Sequence, residues 1–449
     1  MVHKYSIDDT NIVIDVNSGS VHIVEPPVFD ILDYYETKTE NEIVEILKDK
    51  HGEKSLCEGL GEIKELVENE MLFSKDIYKE IAADMGKNRQ NPVIKALCLL
   101  IAQDCNMKCG YCFADEYASK RALMSTETGK KAVDFLLKNS GSRKNLEVDF
   151  FGGEPLLNFD VVKEIVAYAR GKEAEIGKHI RFTLTTNGIL LDDDKLEFIN
   201  REMKNVVLSI DGRREVNDNM RQTLGGNGTY DTIVPKFLKT AESRNQENYY
   251  VRGTFTKYNL DFSNDALHLA DLGFKQVSVE PVVCSNGMPY GLKKDDLPVV
   301  FGEYEKLAEE LISRENREGD FNFFHYMIDL EGGPCVYKRI AGCGAGTEYL
   351  CVAANGELYP CHQFTGIERF KMGSVELGVS NNELREEFLG CNVYTKEKCR
   401  DCFAKFYCGG GCAANAYNEN GTIDEPYEIG CEMQKKRTEC AIYVKAKRS

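Results

Sequence analysis

Cys105-Asn106-Met107-Lys108-Cys109-Gly110-Tyr111-Cys112 places three thiols within one short segment. Leu97–Ala102, just before it, reads as a strand, so the thiols fall on a loop at a strand's carboxyl end, where α/β folds keep their sites. Three thiolates can hold three irons of a four-iron cluster and leave the fourth open to a chelating amine and carboxylate. Half of a zinc site is the other reading of the triplet. A second run, Phe150-Phe151-Gly152-Gly153-Glu154-Pro155, closes the following strand. Its glycines would let backbone approach a ligand, Pro155 would stiffen the turn, and Glu154 would accept from an ammonium. On its own such a tetrapeptide is an ordinary turn. Beside the thiols it reads as the other half of a site.

Three weaker elements end later strands. Thr185-Thr186-Asn187-Gly188 and Ser209-Ile210-Asp211-Gly212 offer side-chain oxygens suited to ribose hydroxyls, although Asn-Gly and Asp-Gly are also common turn chemistry. Arg252, in Val251-Arg252-Gly253-Thr254, is placed for a carboxylate or for a surface salt bridge. Farther on come Cys343, Gly356, Cys361, then Cys399-x2-Cys402-x5-Cys408-x3-Cys412, and Cys431. Taken alone, four spaced cysteines suit zinc.

Ten of the 17 cysteines lie between Cys335 and Cys431, and none lies in residues 113–283. An odd, clustered set argues for metal ligands over a disulfide framework. The net charge of −17 argues against non-specific nucleic-acid binding. Neither a long apolar run nor a signal-peptide pattern at Met1–Ser6 is present, so a cytoplasmic protein without membrane or nucleic-acid partners is expected.

The elements that must position these residues fall in three regions. In residues 1–80, strands Asn11–Val16 and Ser20–Val24 precede helical patterns at Val28–Tyr35, Glu40–His51 and Gly59–Asn69, an order suited to a winged-helix-like module. A polar linker runs from about Ala82 to Asn91. Residues 93–330 alternate strand and helix: strands at Leu97–Ala102, Leu146–Phe151, His179–Thr186, Asn205–Ile210, Tyr249–Thr256 and Gln276–Pro281, with helices such as Thr126–Asn139 and Asp160–Ile176 between them. Six such units imply an α/β fold with a parallel sheet; periodicity alone does not distinguish an open barrel from a doubly wound sheet. A charged helix, Asp296–Glu318, follows, and residues 331–440 turn Gly- and Cys-rich with few long periodic elements.

The CxxxCx-aromatic-C order followed by GGEP resembles the radical S-adenosylmethionine superfamily across residues 93–330. The resemblance implies a partial (β/α)6 TIM-like barrel and a 4Fe-4S cleavage cluster on Cys105, Cys109 and Cys112. It also implies S-adenosylmethionine contacts from Tyr111, Gly152, Gly153, Glu154, Asn187, Ser209, Asp211 and Arg252. The later cysteines resemble the SPASM domain, which implies two auxiliary 4Fe-4S clusters. Cys399, Cys402, Cys408 and Cys431 would hold the distal one, and Cys343, Cys361 and Cys412 the nearer one. The nearer cluster is then one ligand short. An iron open to the substrate's donor thiol is expected there, with Cys335 as fourth ligand the alternative. Cys351, Cys391 and Cys440 fit no motif, Cys57 and Cys98 read as packing residues, and Cys284 is unassigned.

The N-terminal pattern resembles the recognition element that pairs a leader peptide against its edge strand, here Ser20–Val24. The whole chain resembles the SCIFF maturases, which join a cysteine sulfur to a carbon of another residue in a small Cys-rich precursor peptide. That implies an oxidoreductase in which a 5′-deoxyadenosyl radical takes an α-hydrogen, the thiolate closes the C–S bond, and an auxiliary cluster takes the surplus electron. A flavodoxin or ferredoxin would supply the first electron; no general base is assigned. An anaerobic sulfatase-maturing enzyme shares the core and the cysteines, but such relatives place Asp after the cysteine matching Cys361, where this chain has His362. A non-catalytic iron–sulfur carrier or zinc scaffold would need no GGEP.

Overall fold

The computed structural model describes residues 1–87, 93–112, 121–331 and 336–448. Cys335 and most of the second half of the expected linker lie outside the described residues. The N-terminal unit is an antiparallel meander, β1 (Val2–Ile7), β2 (Thr10–Asp15) and β3 (Val21–Val24), with helices at Pro26–Ile31, Glu40–His51 and Glu53–Glu68. β1, not among the expected strands, carries a weak sequence signal because His3, Lys4 and Ser6 interrupt its apolar residues; Tyr5 and Ile7 supply its buried face. Thr39 and Glu42 form a capping box that starts the second helix where the composition placed it. The third helix begins six residues earlier than expected, directly after Gly52. Tyr78–Lys87 is helical where a linker was expected to begin, consistent with its Lys, Glu, Ala and Met content.

The main sheet, as described, has eleven strands. Its parallel part comprises β4 (Ala96–Ala102), β6 (Asn145–Gly152), β7 (His179–Thr186), β8 (Met203–Ser209), β10 (Tyr249–Phe255), β11 (Gln276–Pro281) and β12 (Asn322–Phe323), neighbours in that order. Two short strands, β5 (Met107–Cys109) and β9 (Arg221–Thr223), pair with each other outside it. Neighbours in sequence order, joined by crossovers of one hand, put the helices on one face and leave the other inside a curved sheet. Burial follows that alternation. Leu146, Val148 and Phe150 of β6 are buried, while Glu147, Asp149 and Phe151 face the half-solvated inner side. Arg181, Thr183 and Thr185 of β7 and Tyr250, Arg252 and Thr254 of β10 continue that polar inner face.

The Cys-rich segment continues this sheet. β13 (Tyr349–Val352) pairs in parallel with β4, setting Cys351 beside Cys98, and β14 (Glu357–Tyr359), β15 (Gly373–Ser374) and β16 (Gly378–Val379) extend it antiparallel. The segment ends in a long helix, Glu428–Lys447, where few periodic elements were expected. Consecutive buried residues Cys440–Val444 line more than one side of that helix, so no single apolar stripe marks it in the sequence. The charged helix is shorter than expected, Leu297–Ser313. Among the described residues no helix is long and apolar enough to cross a membrane.

The N-terminal unit rests on the Cys-rich segment. The His3 ring stacks on Phe403 at 3.5 Å, its Nε2 meets Glu439 at 2.9 Å, and the Tyr5 hydroxyl donates to the Glu439 carbonyl. Asp76 accepts from the Tyr394 hydroxyl at 2.7 Å and from the buried Lys405 ammonium at 3.3 Å. Removing one partner from a largely buried ion pair strands the other charge. Asp76→Ala should therefore cost about 1–3 kcal/mol of local stability. Faster native-state hydrogen exchange in β1 and residues 403–408, with the main sheet unchanged, is the expected outcome.

Candidate active site

The thiol loop leaves the all-buried strand β4 and is held by the β5–β9 pair, in which Cys109 stands opposite Arg221. The Gly110 N–H donates to the Met220 carbonyl at 2.7 Å. Cys105, Cys109 and Cys112 act on one another electrostatically: burial pushes Cys105 up to about 11 and Cys109 to about 12, and Cys112 adds to both shifts. As ligands these thiols would have to give up protons, so metal binding there is coupled to proton release.

Gly152 and Gly153 are required by packing. A Cβ on Gly152, whose φ is +129°, would meet the Ala102 carbonyl oxygen at 2.3 Å, and one on Gly153 would meet the Asp104 carbonyl oxygen at the same distance. The space reserved for ligand approach in the sequence reading is filled by the chain leading into the thiol loop. Gly153 and Glu154 N–H groups donate to Ala102 and Asp104 carbonyls at 2.7 and 3.0 Å. Glu154 itself is wholly buried. Its carboxylate accepts from Leu156 N–H at 3.0 Å, the Thr186 hydroxyl at 2.8 Å and Asn187 N–H at 2.7 Å. Burial raises its pKa against those hydrogen bonds.

Asn187 is buried and donates from Nδ2 to Asn106 Oδ1 at 2.8 Å, which ties the end of β7 to the thiol loop. Asp211 is wholly buried. The Tyr111 hydroxyl donates to its carboxylate, lying 2.8 and 2.7 Å from the two oxygens, and Thr254 N–H donates at 3.1 Å. Burial pushes Asp211 up to about 6. Arg221 completes this knot: its Nη1 donates to Tyr111 at 3.0 Å and stands 3.9 Å from Asp211. Burial disfavours the Arg221 charge, but Tyr111, Cys109 and Asp211 outweigh it and hold the pKa well above the usual value. Ser209 lies half-buried on the inner face in register with Arg252. Arg252 is engaged by Glu280 through two hydrogen bonds of 3.1 and 2.8 Å.

Two buried donors here, Arg221 Nε and Asn106 Nδ2, have no hydrogen-bond partner among the described residues. Buried donors without acceptors are costly, so the site suits a ligand that brings negative or carbonyl oxygen to it. An amino-acid ligand whose ammonium meets Glu154 and whose carboxylate meets Arg221 fits that donor set. Arg221 was missed in the sequence, where no motif marks it; only the β5–β9 pairing brings it to the thiols.

The later cysteines gather in two groups. Burial pushes Cys399 up to about 11 and Cys431 to about 12, and Cys408 and Cys402 add to both. Burial likewise raises Cys361, reinforced by Cys412 and Cys343. A cavity of about 210 Å³, lined by Cys408, Cys412, Cys431, Glu280, Gln434 and Arg437, connects the groups. Among the described residues no three His, Cys, Asp or Glu side chains converge closely enough to hold a single metal ion. Cys98, Cys351 and Cys440 are buried, Cys391 and Cys284 partly so, and Cys57 is exposed on its helix, not packed as expected.

Residues 99–248 match the family model described as the radical SAM superfamily. A cysteine-type anaerobic sulfatase-maturating enzyme of Clostridium novyi is 23% identical over 76% of this chain and 94% of its own length. The subtilosin biosynthesis protein AlbA of Bacillus subtilis is 24% identical over 70% and 66%. The structure of the sulfatase-maturating enzyme anSMEcpe with bound AdoMet superimposes with a TM-score of 0.65 at 18% identity, over 79% of this chain and 100% of that one. Streptococcus suis SuiB bound to its precursor peptide SuiA gives 0.54 at 17% identity, over 96% and 98%. Residues 99–248 therefore match the radical SAM superfamily, and over most of its length the chain is similar to sulfatase-maturating and peptide-maturating enzymes.

Proposed function

We propose that the protein matures a ribosomally made, Cys-rich precursor peptide by joining a cysteine sulfur to an α-carbon. The observation that carries this reading is the combination of a second and third thiol group beside the core with an N-terminal sheet whose β3 edge is unpaired among the described residues. An added peptide strand can pair with such an edge. The precursor-bound relative spans nearly the whole chain, while the sulfatase-type relative spans 79% of it. His362 in place of Asp also favours the peptide reading.

When bound, S-adenosylmethionine and the clusters supply a hydrogen-abstracting 5′-deoxyadenosyl radical and an acceptor for the surplus electron. Cys105, Cys109 and Cys112 hold the cleavage cluster. Glu154 receives the methionyl ammonium and Arg221 the carboxylate, a role the sequence reading gave to Arg252. Tyr111 and Asp211 fix the Arg221 guanidinium. Asn187 braces the thiol loop, and Ser209 lies on the inner face for the ribose. Cys399, Cys402, Cys408 and Cys431 form one auxiliary SPASM-type site, and Cys343, Cys361 and Cys412 the other. Their three thiolates leave an iron for the substrate's donor thiol, which would lower its pKa and hold it near the carbon radical. A flavodoxin or ferredoxin supplies the reducing electron.

The test is anaerobic reconstitution with Cys-rich peptides from any short open reading frames neighbouring the gene, read by mass spectrometry for a loss of two hydrogens with formation of a thioether. A formylglycine product from a sulfatase peptide, with no thioether in the precursor, would replace this reading with the sulfatase one. Replacing Cys105, Cys109 and Cys112 together with Ala should abolish 5′-deoxyadenosine while most of the auxiliary iron stays. Arg221→Gln should raise the S-adenosylmethionine Kd at least about tenfold, the loss of a hydrogen bond between charged groups, and Arg252→Gln should leave it nearly unchanged. Ile23, 59% exposed on β3, offers a change that removes little packing. Ile23→Glu should weaken precursor binding while uncoupled S-adenosylmethionine cleavage keeps its rate.

A further inference from the structure

Asp149 lies on the inner face of β6, three residues before Gly152. In register across the sheet stand Thr183 of β7 on one side, and Cys98 of β4 and then Cys351 of β13 on the other. One layer nearer the site, Phe151 packs against the His362 ring at 4.8 Å. Tyr349 and His362 both hydrogen-bond with the Cys98 thiol. A carboxylate, two thiols, a phenol and an imidazole thus line the inner wall just below the GGEP turn, and none of them is used by the cofactor site.

Every oxidative maturation in this class must dispose of three things when the substrate loses two hydrogens. One hydrogen atom goes to the 5′-deoxyadenosyl radical and leaves as 5′-deoxyadenosine, one electron passes to an iron–sulfur cluster, and one proton needs a base. Glu154 already takes three hydrogen bonds, and Asp211 is covered by Tyr111 and Thr254. We propose that Asp149 is the catalytic base that accepts this proton from the substrate and passes it to solvent on the half-solvated inner face of the sheet. In thioether formation the S–H bond breaks, its proton goes to the Asp149 carboxylate, the C–S bond forms, and the surplus electron goes to an auxiliary cluster. The inference rests on the proposed radical maturation, but it holds for either product, since thioether and aldehyde formation both release that proton.

The surroundings support it. Burial pushes Asp149 up to about 7, Glu147 adds to the shift, and a hydrogen bond with Thr183 opposes it; among the described residues no cation enters its balance. A carboxylate poised near working pH is matched to proton transfer. The groups facing it are Glu147 on β6, beside which Arg181 stands in register, Thr183 on β7, Cys98 on β4, Tyr349 and Cys351 on β13, and His362 after β14. A hydrogen bond with Cys351 and burial hold Cys98, and burial reinforced by Cys98 and Cys351 holds Tyr349, well above their usual values, so neither titrates near neutral pH. Deprotonated Asp149 is the active form, so product formation should rise with pH through about 7 and level off above it.

The experiment pairs Asp149→Asn and Asp149→Glu with His362→Gln in the reconstituted full-length enzyme. Wild-type turnover of the precursor is the control; absence of any oxidised peptide there would sink the maturase reading itself. Given that product, Asp149→Asn should lose at least about a hundredfold in rate, the usual worth of a general base, and lose the rising pH limb, with uncoupled 5′-deoxyadenosine formation unchanged. Asp149→Glu should recover part of the rate. An independent readout needs no turnover: an infrared pH titration of the protein should show a buried-carboxyl band that titrates near neutral pH and is missing in Asp149→Asn. A near-wild-type rate with the pH limb intact, transfer of the whole loss to His362→Gln, or a carboxyl band that titrates in the ordinary acidic range would each overturn the assignment.

Discussion

The buried carboxylate of Glu154 ties together everything around it. It draws the hydroxyl of Thr186 and the N–H groups of Leu156 and Asn187 onto one charge, which joins the end of β6 to the end of β7. A buried charge is tolerable only when hydrogen-bonded, so those three donors are fixed in place by its cost. Through Asn187 the same network reaches Asn106, and the backbone of Gly153 and Glu154 is bonded to Ala102 and Asp104. The thiol loop therefore has its conformation imposed from two strands before any metal enters. Glycine at 152 and 153 follows from the same closeness: a methyl group would displace the carbonyls that hold the loop.

A second buried charge balances the first. Arg221 is brought to the thiols by a two-strand pairing outside the main sheet, and Tyr111 and Asp211 hold it there. Glu154 and Arg221 are thus opposite charges in one enclosed place, a setting that selects for a zwitterion and amplifies its contacts through low local dielectric. The inner face beyond them is polar and partly solvated because the helices cover the opposite face and the Cys-rich segment covers the sheet's ends. His325 illustrates the latter: Arg437 of the last helix donates to its Nδ1, and its Nε2 lies 3.3 Å from Ser278 of β11. Against burial, Arg252 holds Glu280 down to about 2, so Arg252 is neutralised at the wall.

The Cys-rich segment is part of the framework of the fold. It continues the main sheet through β13, closes the inner face with His362, and carries the N-terminal unit on Phe403, Lys405 and the last helix. Its short elements pack around an aromatic cluster of Phe364, Phe370, Phe388 and Tyr417 as well as against the strands and helices of the core. The N-terminal sheet consequently buries its β1 side against the rest of the protein and presents β3 outward.

The sequence by itself determined the local features. Alternating apolar residues located β6, β7, β8, β10 and β11 to within two residues, since a strand with one face against helices has a period of two, and a continuous apolar run located the all-buried β4. The spacing of Cys105, Cys109 and Cys112 and the Gly152–Pro155 turn marked the site for the same reason: each is encoded within a few consecutive residues. β1 and the last helix escaped because their burial is shared over several partners, which leaves no single stripe. Tertiary structure alone decided which charges meet. Tyr111 and Asp211 are 100 residues apart, Arg221 carries no local signature, and Asp149 is an ordinary polar residue on an alternating strand until β4, β7 and β13 wall it in. Desolvation depends on neighbours supplied by the whole fold, so the pKa of a carboxyl and the partner of an arginine cannot be written in any short stretch of chain.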